Sequence, residues 1–405
     1  MQALFLGGVF AKVNEEEVIS NSKSSVEYSA NIFQERLISG LKKNGISLHV
    51  VSAPFIGAFP KYYKKAYFNG FEHQQDEYEY VRFNNVWGIR NISRTKAIKK
   101  AIRQYISFAS DKKLIIVYSA HTPFIEAAVY AKRKDRDIKI CLVVPDLPQY
   151  MNLNKEKSNI YDFLKKLDIY HMNGLMENVD SFVLLTEQMK DVLHVKNRPY
   201  MIVEGIIDDE DEKKPVESIE KKQNEKYVVY AGKINQRFGV IDLTDAFRLI
   251  KDKEYRLIFC GKGDALDYVL DASRVDSRII YKGQLPVSEV RACIQMANVL
   301  VNPRLNNEEY TKYSFPSKNI EYLLSGNPVV AYMLDGMKEI YKDFLYVPRG
   351  SKPDELAECI CEACLEEEKE ARKKKFDAYK LSLYKQNVCA EMLKMIYEGE
   401  NVGNY

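Results

Sequence analysis

The sequence predicts an α/β protein made of two consecutive Rossmann-like domains, each a parallel sheet wrapped in helices. Three observations predict it. Short apolar runs alternate with longer amphipathic ones throughout, the signature of repeated βαβ units. One stretch, Asp208–Lys226 (DDEDEKKPVESIEKKQNEK), is almost wholly charged, has little to bury, and reads as a surface connection. The alternation restarts beyond it, and a chain of 405 residues has room for about two or three domains. The expected division is a first domain at 1–207, a linker at 208–226, a second domain at 227–378 and a closing helix at 379–405 that crosses back to the first domain. Open parallel sheets bind ligands outside their strand carboxyl ends, so two such sheets are expected to share a cleft.

In the first half the strand candidates are Ala3–Phe10, Ser47–Ser52, Leu114–Ser119, Ile138–Val144, Ser181–Leu185 and Tyr200–Val203. Val26–Asn44 reads as a helix with Ile32, Leu37 and Leu41 inward and Asn44-Gly45 as its stop. Pro123–Arg133 is a second helix. After the charged stretch, strands are expected at Tyr227–Tyr230, Tyr255–Cys260, Arg278–Tyr281, Val299–Asn302 and Val329–Tyr332. Helices at Val240–Lys251, Ala265–Ala272, Val287–Met296 and Lys318–Leu324 alternate with them. Glu355–Lys375 and Lys380–Tyr397 close the chain as helices.

Composition excludes several classes. With 46% hydrophobic and 29% charged residues the chain is globular rather than disordered. Sixty basic against 57 acidic residues give a net charge of +3, too close to neutral for a nucleic-acid coat or an acidic tail protein. No run approaches the roughly 18 apolar residues of a membrane span, and Met1–Phe10 reads as a buried first strand rather than a leader peptide. Seven cysteines, an odd number, suit reduced thiols and a cytoplasmic setting. Cys359-x-Cys361-x-x-Cys364 has metal-like spacing but lies in a helical stretch without a second ligand cluster, so helix packing is the expected role and no metal is assigned.

Three segments carry candidate chemistry. Tyr230-Ala-Gly-Lys-Ile-Asn-Gln-Arg-Phe-Gly239 joins a strand to a helix. Gly232 permits close backbone approach, Lys233 and Arg237 put two cations in one loop, and Gly239 opens the helix, which together make an anion site. The alternative is a plain turn with surface cations. Phe259-Cys-Gly-Lys-Gly263 ends the next strand, and Gly261 and Gly263 leave room there or simply make a tight turn. In Tyr313–Val330 (YSFPSKNIEYLLSGNPVV), Pro316 and Ser317 are helix-start residues. Lys318 opposes the helix dipole unless an anion sits beside it, and Glu321 stands on the same rim. The alternative for these two is a local i,i+3 ion pair. Neither a Walker loop nor GxGxxG is present, which excludes a nicotinamide oxidoreductase of the usual type.

The third segment resembles the nucleotide-sugar motif of family 4 glycosyltransferases of the GT-B fold. Ser314–Leu323 is closely similar to the Ser-Phe-Pro-Ser-Lys-x-x-Glu-Tyr-Leu phrase of the capsule and exopolysaccharide branch. The resemblance implies that Glu321, with Gly326 and Pro328 behind it, holds the donor ribose. Tyr313 stands where the family usually has an earlier Glu. Tyr230–Phe247 resembles the phosphate loop, with Lys233 at the usual Arg, and with Arg237 one place before Phe238, the position of the usual Lys. Gly283-Gln-Leu285-Pro286 resembles the stretch that contacts the donor base, and Val301–Arg304 the strand end before the donor helix. In the first domain Gly7-Gly8 resembles the loop near the donor phosphate. Val144–Pro148 resembles the loop with a His-Asp pair, keeping Asp146 and replacing the His by Pro145. His121 reads either as a group on the same edge or as a helix-start residue.

The resemblance thus implies a retaining, metal-independent hexosyltransferase with no cofactor. Its donor would be a UDP- or GDP-sugar. Its acceptor would be a glycan or lipid-linked glycan of cell-surface polysaccharide assembly, used at the cytoplasmic side. Lys233, Arg237 and Lys318 would stabilise the departing diphosphate, and Asp146 would orient hydroxyls. A GT-B sugar-nucleotide epimerase and a non-catalytic binding partner are the alternatives. Thr95–Ser107 (TKAIKKAIRQYIS) adds a basic amphipathic helix that either lies on an anionic membrane or packs on its sheet.

Overall fold

A computed structural model describes residues 2–24, 26–73, 77–108, 113–148, 159–212, 221–365 and 369–399. It divides into two compact units, one of residues 1–208 with 382–405 and one of residues 209–381. Residues 213–220 of the predicted linker lie outside the described residues.

Unit 1 begins with β1 (Gln2–Gly7), α1 (Glu15–Asn21), α2 (Tyr28–Lys43) and β2 (Ser47–Ser52). Short strands β3 (Tyr67–Phe68), β4 (Tyr78–Tyr80) and β5 (Phe83–Asn84) follow, then α3 (Arg90–Phe108), β6 (Lys113–Tyr118), α4 (Thr122–Lys134) and β7 (Lys139–Val144). The run ends with α5 (Asn159–Met176), β8 (Ser181–Leu184), α6 (Met189–Val192) and β9 (Tyr200–Ile202). Seven strands form one parallel sheet in the order β4-β2-β1-β6-β7-β8-β9, while β3 and β5 pair apart as an antiparallel ribbon. The apolar runs of β1, β6 and β7 are fully buried because helices cover both faces of such a sheet. The direction of chain progression reverses between β1 and β6, which makes their carboxyl ends a topological switch point.

One sequence expectation is corrected in unit 1 and one open alternative is decided. Ile32 is exposed, whereas Asn31, Gln34, Leu37, Ile38 and Leu41 form the buried side of α2. Five residues carry the chain about 140° round a helix beyond one full turn, so Ile32 and Leu37 cannot share a face. The stripe of α3 offered to a membrane is instead core: Ile98 and Ile102 are fully buried, α3 packs along α4, and the Tyr105 hydroxyl donates to the Gln2 carbonyl at 3.3 Å. Among the described residues no helix is long and apolar enough to cross a membrane.

Unit 2 holds α7 (Asp209–Glu212), β10 (Lys226–Ala231), α8 (Val240–Leu249), β11 (Tyr255–Cys260), α9 (Leu266–Val275), β12 (Ile279–Tyr281) and α10 (Val287–Met296). It continues through β13 (Val299–Asn302), α11 (Lys318–Leu324), β14 (Val329–Ala331), α12 (Pro353–Leu365) and α13 (Lys369–Tyr379). Its parallel sheet has the order β12-β11-β10-β13-β14, with the switch between β10 and β13. The expected helix over 355–375 is two helices, α12 and α13, with 366–368 outside the described residues. Cys359 of α12 is core, and Cys361 and Cys364 pack against the same cluster.

The chain then returns to unit 1 as α14 (Lys385–Glu398). This helix starts later than Lys380 because Tyr384 is extended and bridges Ile207. Ile207 N donates to the Leu383 carbonyl at 2.8 Å and Lys385 N to the Ile207 carbonyl at 2.9 Å. Val388, Cys389, Met392, Met395 and Ile396 complete the core of Ala3, Phe5, Leu37 and Leu41. Gly40 lies directly on the backbone of Lys385 and the sulfur of Cys389, leaving no room for a side chain.

Candidate active site

In unit 2 the carboxyl end of β10 is tied to α11 by one backbone unit. The fully buried Tyr322 hydroxyl accepts the Ala231 N–H at 2.9 Å and lies 3.1 Å from the Ala231 carbonyl. Lys318 Nζ donates to that same carbonyl. Between these two positions on the helix, Asn319 Oδ1 accepts from Asn302 Nδ2 at 2.7 Å and so ties α11 to β13 as well. Positions 318 and 322 stand one turn apart on the same face, which is why both reach Ala231. Lys318 is therefore bonded to the strand end rather than locked in a pair with Glu321. Burial lowers its pKa, Glu321 opposes that effect, and the nearby charge of Lys233 adds to it. Gly232 lies under the Lys318 ammonium, where any side chain would collide with it. Gly232, Lys233 and Lys318 thus come together at the switch point. Ser317 and Glu321 are exposed at the start of α11, and the Ser317 hydroxyl makes no capping bond.

The neighbouring strand ends are laced to this loop. Gly232 N donates to the Cys260 carbonyl at 2.8 Å, Ile234 N to the Lys262 carbonyl at 2.9 Å, and Gly261 N to the Gly283 carbonyl at 2.8 Å. Gly261 has φ +133°, and a β-carbon there would overlap the Gly232 carbonyl oxygen. Gly239, the N-cap of α8, has φ +75° and lies against the Pro303 carbonyl. The Tyr281 hydroxyl donates to the Gly261 carbonyl at 2.9 Å, and half-buried Leu285 follows two residues beyond Gly283. Arg237 is held elsewhere in the same loop. Its guanidinium forks onto the Glu308 carboxylate, with Nε 2.9 Å from Oε1, and lies 4.1 Å from the centre of the Tyr310 ring. Arg304 stacks on Tyr310 too, at 4.7 Å.

Unit 1 places its candidates at its own switch point. Gly7 ends β1 and Gly8 follows it, both buried, but the Gly8 N–H is already donated to Gln34 Oε1 at 2.9 Å. Asn31 closes the same loop, accepting from Phe10 N at 2.8 Å and donating to the Phe10 carbonyl at 2.9 Å. The Phe55 ring lies on Gly8 and stands edge-on to His121, centroids 6.3 Å apart. His121 is the N-cap of α4, and its Nδ1 is buried without a partner. Burial and the charges of Arg94 and Arg90 hold its pKa down to about 3, so the imidazole is neutral at pH 7. Asp146, beyond β7, keeps an exposed edge, while loss of water around its carboxyl and then the charge of Glu27 push its pKa up to about 6.

Sequence reasoning missed Tyr322, Asn319, Glu308, Asn31 and Gln34. Tyr322 was readable from its i,i+4 spacing to Lys318 in the quoted phrase. The partnership of Arg237 with Glu308 joins positions 71 apart and has no local signal.

Residues 225–365 match the family model described as glycosyl transferases group 1. No curated protein matches the chain. Among solved structures, the apo form of the lipopolysaccharide outer core galactosyltransferase WaaB is similar with a TM-score of 0.62 at 13% identity, over 98% of this chain and 99% of that one. A sucrose-phosphate synthase from Thermosynechococcus elongatus gives 0.60 at 14% identity, over 98% of each chain. Anabaena HepE in complex with UDP gives 0.60 at 11%, over 98% of this chain and 100% of that one. Likeness at these identities shows a shared fold.

Proposed function

We propose that this chain, a GT-B-fold protein whose residues 225–365 match the group 1 glycosyl transferases, is a retaining hexosyltransferase that needs no metal. It moves a hexose from a UDP- or GDP-sugar to a glycan or lipid-linked glycan acceptor of cell-surface polysaccharide assembly. The observation that carries this reading is the Lys318 ammonium laid over Gly232, with Lys233 beside it, at the switch point of unit 2. The galactosyltransferase WaaB and the UDP complex of HepE support the hexose and the nucleotide. A membrane role for α3 forms no part of this proposal, because its apolar stripe is buried.

The chemistry follows from charge. As the bond from the anomeric carbon to the diphosphate breaks, negative charge grows on the leaving oxygens, and Lys318 and Lys233 stabilise it. The acceptor hydroxyl attacks the same face and passes its proton to the departing phosphate, which preserves anomeric configuration. Glu321 accepts hydrogen bonds from the donor ribose. In unit 1, Asp146 and His121 are assigned to orienting hydroxyls.

The test is a thermal-shift panel of UDP-, GDP- and ADP-sugars. One of them should protect the protein in a saturable manner. Glu321→Ala should weaken that protection by about tenfold in concentration, as loss of a charge-assisted hydrogen bond implies, and leave the unliganded melting point unchanged because the side chain is exposed. Protection of equal strength in the variant removes the ribose assignment. No protection by any nucleotide sugar removes the function.

Arg237 gives a second expectation. Glu308 holds its fork and competes with an arriving diphosphate. Glu308→Gln should tighten donor binding by about tenfold, the worth of one charged hydrogen bond released. Weaker binding in titration calorimetry would mean instead that Glu308 positions Arg237 for the donor.

A further inference from the structure

Unit 1 buries positive charge that no carboxylate among the described residues neutralises. Arg94 is fully buried, yet its only polar partner among the described residues is the Pro54 carbonyl, 2.7 Å from Nη2, and its guanidinium lies 4.4 Å from the centre of the Phe83 ring. Arg90, one helical turn earlier on α3, donates from Nη2 to the Ile56 carbonyl at 3.0 Å. Arg94 Nε, Arg90 Nε and His121 Nδ1 are all buried without a hydrogen-bond partner. Among the described residues the charges that act on this group are those of its own members: Arg90 acts on Arg94, and both arginines act on His121. The carboxylates on the neighbouring helices are engaged elsewhere: Glu126 of α4 accepts from Lys99 Nζ at 2.7 Å, and Asp168 of α5 accepts from the Thr122 hydroxyl at 2.8 Å.

A bland role accounts for part of this. Each arginine staples the Pro54–Ile56 loop to α3 through one N–H. A neutral donor would do the same without an uncompensated buried charge, which is strongly unfavourable when it has no counter-ion. The position supplies the remaining reason. Pro54–Ile56 follows β2, Gly8 follows β1 and His121 follows β6, so the cluster lies at the carboxyl edge of the sheet, where parallel sheets receive ligands. Half-buried Arg90 stands at its outer side and fully buried Arg94 behind it.

The geometry points to an oxyanion pocket in unit 1, in which Arg90, backed by Arg94 and His121, receives a phosphate or carboxylate group carried by the sugar acceptor. The planar fork of Arg90 suits the paired oxygens of either group, and the buried charge of Arg94 adds to its pull. The assignment of that anion to the acceptor rests on the transferase reading; the pocket itself does not.

The test uses the full chain and two probes, inorganic phosphate and acetate, each compared with sodium chloride at matched ionic strength in thermal melting. Wild type should be protected saturably by at least one of them, and the better probe tells a phosphorylated from an acidic acceptor. Arg90→Gln should raise the half-saturating concentration by about tenfold and leave protection by the nucleotide sugar unchanged. Equal protection in wild type and variant, or no protection beyond chloride, overturns the pocket. Should Arg90→Gln fail to fold, Arg90→Lys keeps the charge and loses the fork: weakened phosphate or acetate binding supports the pocket and unchanged binding overturns it. Absence of nucleotide-sugar protection in wild type, with anion protection intact, removes the transferase reading alone.

Discussion

Replacing Lys318 by methionine is expected to slow sugar transfer by about 10²- to 10³-fold, the usual loss when one preorganised stabiliser of developing charge is removed. Methionine keeps most of the apolar stem that crosses Gly232 and deletes the ammonium. The bond from Nζ to the Ala231 carbonyl is lost with it. That costs about 1 kcal/mol of stability, and Tyr322 still holds Ala231 through both its N–H and its carbonyl. Lys233 lies close enough to Lys318 that its charge opposes the Lys318 ammonium. A diphosphate relieves that opposition, and relief grows as charge moves onto the leaving oxygens. Single-turnover transfer, with the donor found in the nucleotide-sugar panel, measures the effect. A rate within about threefold of wild type, well short of a lost transition-state contact, would remove Lys318 from the chemistry.

Gly261→Ala is expected to damage stability and donor binding together. At φ +133° an L-residue is strained, and here its β-carbon also meets the Gly232 carbonyl oxygen. Backbone of this kind does not yield cheaply, and a loss of about 3–5 kcal/mol follows. Gly232 moves away and takes with it the surface on which Lys318 rests. Gly45→Ala is the control, since Gly45 has φ +77° but nothing within 4 Å of the added carbon. That substitution carries only the torsional penalty, about 1–2 kcal/mol. Melting of the two variants side by side, with and without nucleotide sugar, separates torsion from collision. Equal losses would show that the contact between the β10 and β11 loops does not constrain the site.

Much of this molecule was legible before its coordinates. The strands Ser47–Ser52, Tyr255–Cys260 and Val299–Asn302 were bounded by turn residues on both sides and agree to the residue. Buried parallel strands are short apolar runs, and no tertiary contact competes with that signal. The meeting of Gly232 with Lys318 was also readable, because each lies at the end of an element with a recognisable start or stop. Ile32 is misplaced, and the stripe of α3 stays undecided between a membrane and the core, for a different reason. Amphipathicity tells which side of a helix is apolar, and not what covers it; for α3 the cover is α4. The fork of Arg237 on Glu308, and the buried arginines of α3, depend on partners brought in from distant loops. Local pattern carries no trace of those.

The return of α14 bears on how the protein is made. The first 208 residues are made while the five apolar core side chains of α14 are still unsynthesised. Throughout translation of unit 2, the groove along α2 that Val388, Cys389 and Met392 later fill stays uncovered. The core of the amino-terminal unit therefore cannot close before α14 is made, although its strands emerge first.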